Sequence, residues 1–284
     1  MPRPIVHLGR VGIPLLLVSS LAAQAGPPPY MQIFREREKI GHSAAHRQTE
    51  AGWPRAFARA KTANHYLAIN AVYGPSQVWF LEGHGTIAEL EASNKATEAA
   101  PGLSAELQRL LLTDAAHVDG GDALLVHYLA DASNGPDINP ADMRVWQVLI
   151  FRVRPGHEAQ FFEAAKLYQS VVQQAKVDAP WATYEVMAGM PGPTYLVFSP
   201  HKTLAEIDPA AGNMALIQKA MSAETMKKMG TLSEGFLSIE TLVFAPSPEM
   251  SYPPDEWGKQ DPKFWGRKSP TMARAKPSTA PPNP

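Results

Sequence analysis

His46, Glu50 and Trp53 fall at i, i+4 and i+7, a spacing that puts three side chains on one stripe of an α-helix. A carboxylate beside an imidazole fixes its tautomer, and the ring can then act as a general base on an acidic C–H or O–H group. The indole would supply a flat wall for a planar ligand. The alternative is an ordinary helix pair at a domain edge. Gly52 and Pro54 interrupt this stretch, and because Pro54 lacks an N–H it should kink or divide the helix, which favours a cleft. His42, His46 and Glu50 also fall at i, i+4 and i+8, which can offer two imidazoles and a carboxylate to a metal. His42 has a counterpart further along the chain in His157 whereas His46 has none, so His42 is given a local role at the helix start, and no metal site is expected.

Arg35 and Arg37, and likewise Arg152 and Arg154, sit two apart in strand-like segments and so share a strand face. They are either solvated at a strand end or, for Arg35 or Arg152, turned inward to bind a carboxylate of a ligand or of Glu240, which lies in an otherwise apolar run. His127 is read as a hydrogen-bonded interior residue or as site lining. Gly83-His84-Gly85-Thr86-Ile87-Ala88 matches the dinucleotide pattern G-x-G-x-x-A in form only, because no parallel strand follows to supply a ribose-binding acid. His84 and His201 occupy matching turns and are expected to be exposed and structural. No hydrolase, kinase or metalloprotease signature occurs.

Composition narrows the classes. Among 284 residues there are 26 Lys plus Arg, 27 Asp plus Glu and no Cys. Disulfides, thiol nucleophiles and cysteine-ligated metals are therefore excluded, and a net charge of −1 leaves no electrostatic footprint for nucleic acid. Residues 1–25 read as a secretory signal peptide, with Arg3 and Arg10 before an apolar stretch and Ala23-Gln24-Ala25 as the cleavage site. The stretch is too short to span a bilayer, so an exported, membrane-free mature chain is expected. Residues 246–284 hold ten of the 27 prolines and are expected to be a mostly disordered tail, except that Trp257, Phe264 and Trp265 could dock.

The elements that must position these residues occur twice. Ile33-Phe34-Arg35-Glu36-Arg37 recurs as Ile150-Phe151-Arg152-Val153-Arg154, Gly41-His42 as Gly156-His157, Gly74-Pro75 as Gly192-Pro193, and Thr86-Ile87-Ala88-Glu89-Leu90 as Thr203-Leu204-Ala205-Glu206-Ile207. The first copy reads as strand 31–37, helix 42–61, strands 66–72 and 77–81, helix 103–116 with Ser104 as its cap, and strand 123–129. The second reads as strand 145–153, helix 157–176, strands 183–188 and 195–199, a helical region and strand 236–244. The expected division is a first repeat at 26–133, a linker at 134–143 and a second repeat at 144–245. Aligning the long helices sets His46 against Phe161, Glu50 against Ala165 and Trp53 against Tyr168.

The order is βαββαβ twice, an α+β class of two ferredoxin-like repeats. Two such sheets can bury their open faces against each other. This arrangement resembles the dimeric α+β barrel superfamily, including the NIPSNAP and antibiotic-biosynthesis-monooxygenase-like families, with the dimer fused into one chain. The resemblance implies a barrel but no single activity. The reading it supports is an exported protein that binds a small, largely apolar ligand in the first repeat, lined by His46, Glu50, Trp53 and Arg35, with no cofactor. One alternative is a cofactor-independent oxygenase or isomerase using His46 as base. Another is an interaction module engaging a partner through the Pro-rich tail. The two repeats would form an intrachain pseudo-dimer, open to higher oligomers.

Overall fold

The computed structural model describes residues 26–135 and 138–266. The expected signal peptide, and the tail beyond residue 266, lie outside them. The elements of the first half are β1 (Tyr30–Glu38), α1 (Ser43–Glu50), α2 (Gly52–Ala60), β2 (Tyr66–Tyr73), β3 (Gln77–His84), α3 (Ile87–Ala99), α4 (Pro101–Asp114) and β4 (Val118–Tyr128). Those of the second are β5 (Val145–Val153), α5 (Glu158–Ala175), β6 (Ala182–Ala188), β7 (Thr194–His201), α6 (Gly212–Ala220), α7 (Ala223–Ser233), β8 (Phe236–Pro246) and α8 (Asp255–Gln260).

The strands form one closed barrel in the order β1-β3-β2-β8-β5-β7-β6-β4, with every neighbouring pair antiparallel. The fold is thus mixed α+β. Within the barrel the first-half strands run β4-β1-β3-β2 and the second-half strands β8-β5-β7-β6, joined by the seams β2–β8 and β4–β6. Alternation along each strand decides what lies inside. Ile33, Trp79, Leu124, Val148, Leu196 and Phe244 fill the interior, which at eight strands is just wide enough for side chains to occupy. The Trp79 ring sits 4.9 Å from Phe244 and 6.3 Å from Phe198, tying the two halves together at the centre.

Helices cover the outer face, α1 and α2 packing on α4, and α5 on α6 and α7. In the first half the expected single helix is divided, as Pro54 requires. α1 ends at Glu50, Ala51 is the shared cap residue, and α2 restarts at Gly52, leaving Pro54 in its first turn where its missing N–H is harmless. Gly52 also allows close helix approach, since a Cβ there would lie within 2.4 Å of Leu110 Cδ2 on α4. α5, without Gly or Pro, runs unbroken for 18 residues. Ser104 is not a cap: Ala100 precedes Pro101 at the start of α4, and the side-chain cap belongs instead to Thr86 on α3, whose Oγ1 accepts from the Glu89 N–H at 3.1 Å.

The tail boundary expected at Pro246 falls too early. Residues 247–266 pack back over the barrel, through Trp265 among the aromatics allowed to dock and also through Met250 and Tyr252, which the proline count obscured. Met250 is buried against Ala68, Val78 and Phe80, Tyr252 pairs with Tyr66 in a β-bridge, and the buried Trp265 indole donates to the Ala141 carbonyl at 2.8 Å. Among the described residues no helix is long and apolar enough to cross a membrane.

Candidate functional site

β1 turns Met31, Ile33 and Arg35 into the barrel and Glu36 out beneath the helices. α1 presses His46 and Glu50 onto that outer face, and α4 delivers Asp114, its last residue, from the side. His46 is fully buried, with Nδ1 at 2.9 and 3.0 Å from the two Asp114 oxygens and Nε2 at 3.6 Å from Glu36 Oε2. A carboxylate only accepts, so Nδ1–H donates to Asp114. Glu36, His46, Glu50 and Asp114 each bring one potential ligand atom, and these atoms lie within 4.8 Å of one another.

Burial and the neighbouring charges shift Glu36, His46 and Glu50 away from their ordinary values. Burial raises Glu50 to about 9, with the charges of Glu36 and Asp114 adding to it and Trp53 pulling back. Burial raises Glu36 to about 7, against the lowering influence of His46. For His46 burial acts downward, but the hydrogen bond and charge of Asp114, with Glu36 and Glu38, outweigh it and raise the imidazole above its ordinary value. The Tyr66 hydroxyl, on the outer face of β2, is pushed well up by burial and then by Glu50. On this side of the sheet Glu36 Oε2, His46 Nε2, Trp53 Nε1, Tyr66 Oη and Asn70 Oδ1 are buried without a hydrogen-bond partner.

His46 and Glu50 share the buried stripe their spacing predicts and bring ligand atoms within 4.8 Å of each other, but the carboxylate bonded to the imidazole is Asp114, not Glu50. Trp53 is half-buried one turn on, its indole toward Glu50 without completing a hydrogen bond of ordinary geometry, and its ring is 6.4 Å from Phe57. Arg35 does not join them. It lies on the opposite face of β1, Nε 2.6 Å from Asp122 Oδ1 and the guanidinium 5.4 Å above the Trp79 ring. Glu240 is exposed on β8 and needs no arginine. His127 is half-buried, its ring 5.0 Å from that of Tyr30 and tilted by 34°. His84, expected in the open, is buried with Nε2 3.2 Å from Glu82, and His42 stands apart from the cluster, Nδ1 3.1 Å from Nδ1 of His117.

Sequence reading missed Glu36 and Asp114. Glu36 was legible in principle: if Arg35 and Arg37 share one face of β1, the residue between them takes the other, where the helix lies. Asp114 carried no local signal, since it reaches His46 only through the packing of α4 on α1.

A separate apolar cavity of about 120 Å³ opens at one end of the barrel, lined by Met31, Leu67, Leu81, Trp146, Tyr184 and Phe198. Pro27 and Pro28 at one end of the described chain, and Pro253, Pro254 and Trp257 at the other, border its mouth. His46, Glu50, Trp53 and Arg35 do not line it.

No protein-family model matches this sequence, and no curated protein sequence matches it. Among solved structures it is similar to a Fusobacterium nucleatum protein named as a candidate monooxygenase, at 10% identity and TM-score 0.49, over 78% of this chain and 93% of that one. An anthrone oxidase-like protein matches at 9% identity and TM-score 0.47, over 80% and 93%. Chlorite dismutase from Candidatus Nitrospira defluvii, in complex with imidazole, matches at 8% identity and TM-score 0.46, over 82% and 95%. The chemistry named for each is a property of that protein.

Proposed function

We propose that this chain is an exported small-molecule-binding protein whose two halves are duplicated ferredoxin-like units, and that a compact, largely apolar ligand occupies the cavity at the barrel end. The matching strand orders of the two halves support the duplication, and the composition of residues 1–25 supports export. The observation carrying the ligand reading is the cavity itself. Its walls come from both halves, Met31, Leu67 and Leu81 from the first and Trp146, Tyr184 and Phe198 from the second. Apolar walls with few polar groups hold a ligand by area rather than by hydrogen bonds. The ligand thus sits inside the barrel rather than between sheet and helices of the first half. A catalytic role for His46 as base loses its footing, because its free Nε2 faces Glu36 rather than this cavity.

The cavity is near the size of a dry site of ~150 Å³ that accepts benzene. Benzene is therefore the first probe, followed by thermal unfolding and calorimetry. Saturating benzene should raise the melting temperature of the native chain, and Ala182→Phe, placed on the cavity wall, should abolish the rise. Trp257→Ala, at the mouth, should speed benzene entry and exit while keeping the fold. A native chain showing neither heat nor thermal shift would overturn the reading.

A further inference from the structure

Nothing in the barrel itself accounts for the polar cluster under α1. The second half shows how the fold treats the same place when nothing special is required of it. By the doubled landmarks Glu36, His46 and Glu50 correspond to Val153, Phe161 and Ala165. Those three pack together as ordinary core, with Phe161 stacked on Tyr195 at 4.0 Å between ring centres and 5° between planes. A half-buried and a buried carboxylate with a buried imidazole are costly substitutes for such a core unless something binds them.

We propose that Glu36, His46 and Glu50 are the ligands of a divalent first-row transition cation, and that Asp114 is a positioning residue that holds the imidazole toward it. His46 is fully buried, yet Nε2, the nitrogen left free by Asp114, has no hydrogen-bond partner and points at Glu36. A histidine that gives its other N–H to a carboxylate is the usual way a protein orients a metal-bound imidazole. The second unpartnered atom, Glu36 Oε2, faces the same space, and Glu50 brings its carboxylate within the 4.8 Å limit that encloses all four groups. One imidazole nitrogen with carboxylate oxygens suits zinc, manganese or iron(II), and without a thiolate in the chain the soft-metal alternatives fall away. Glu36, with 23% of its side chain exposed, is the ligand nearest solvent and marks the route of entry.

The test uses the untagged full chain, stripped with chelator and titrated separately with Zn²⁺ and Mn²⁺ by calorimetry. One equivalent per chain is expected for at least one of the two ions, with proton release seen as a buffer-dependent heat and a matching rise in melting temperature. Glu50→Gln keeps shape and hydrogen bonding while removing a ligand charge, and should weaken binding at least tenfold. Asp114→Asn should weaken it by about 10–100-fold, as loss of an orienting carboxylate does elsewhere. The triple change E36V/H46F/E50A installs the residues the second half already uses. It should fold and bind neither ion, which keeps the test valid should a single variant fail to fold. Absence of binding by the native chain, or undiminished binding by the folded triple variant, overturns the proposal. Since the benzene cavity is walled by other residues, this outcome is independent of the ligand reading above.

Discussion

Asp114 and His46 lie 68 residues apart in sequence yet meet with both carboxylate oxygens within 3.0 Å of one ring nitrogen, and neither side chain is more than 2% exposed. The contact fixes α4 against α1. Its energetic role is asymmetric, because a buried pair adds little relative to an apolar pair of similar volume, whereas one member left alone is costly.

In metal-free protein, Asp114→Ala should therefore lower stability by about 3–5 kcal/mol, read as a fall in the urea midpoint at unchanged slope. The double change H46F/D114L removes both partners and should cost less than Asp114→Ala alone. If the double variant were the less stable one, the pair would be a net stabiliser and the argument from the second half would weaken.

A backbone prediction concerns the seam between the halves. Gly189 follows β6 with φ +97°, and a Cβ there would lie 2.2 Å from the Ala123 carbonyl oxygen on β4. Both the dihedral and the contact forbid a side chain, so Gly189→Ala should cost about 1–3 kcal/mol or more. Gly230 is the converse case, exposed inside α7 with nothing near its missing Cβ. Gly230→Ala should stabilise by about 0.5–1 kcal/mol. Opposite shifts of the two melting temperatures check both.

The difference between these glycines shows what the sequence could reveal. Periodicity found the strands of both halves, since alternation is local and strong. Pro54 announced the break between α1 and α2 for the same reason. His46 and Glu50 shared a stripe because helical spacing is fixed. Arg35 does turn inward to a carboxylate, that of Asp122, but it was grouped with the helix stripe, which lies against the opposite face of β1. Asp114 and the Gly189 contact were illegible, as each depends on which distant segment arrives beside it. In the tail from Pro246 the docking allowed for Trp265 occurs, whereas proline content masked Met250 and Tyr252, whose burial is set by the surface they meet.

His201 supplies a pH prediction. Burial lowers its pKa below 6.5, with Glu206, 3.8 Å away, partly opposing the shift. The unfolded chain then takes up a proton at higher pH than the folded one. Stability should therefore fall as pH drops from 6.5 through the folded value. His46 titrates the opposite way, but its contribution is common to native and variant proteins. His201→Gln should thus lose less stability than the native chain between pH 7.5 and 5.5, by urea unfolding at each pH. Parallel losses would remove His201 from the acid response.

The last prediction concerns the segment after β8. Trp265 is 3% exposed and its N–H is satisfied by Ala141 at 2.8 Å, while Arg144 pairs with Asp261 and lies over the Phe264 ring, 3.9 Å from its centre. These contacts clamp the segment to the loop before β5, so Trp265→Ala removes both area and a hydrogen bond and should cost about 3–5 kcal/mol. Ending the chain after Pro246 should cost more. It also strips away Met250 and Tyr252, and it deletes Pro253, Pro254 and Trp257 from the rim of the barrel cavity. The truncated protein should accordingly melt lower and lose the thermal shift given by benzene, whereas Trp265→Ala, which leaves the rim residues in the chain, should melt lower and retain it. If Trp265→Ala abolished the shift as completely as truncation does, the rim would depend on the clamp, and the segment would be a hinged cover rather than a fixed wall.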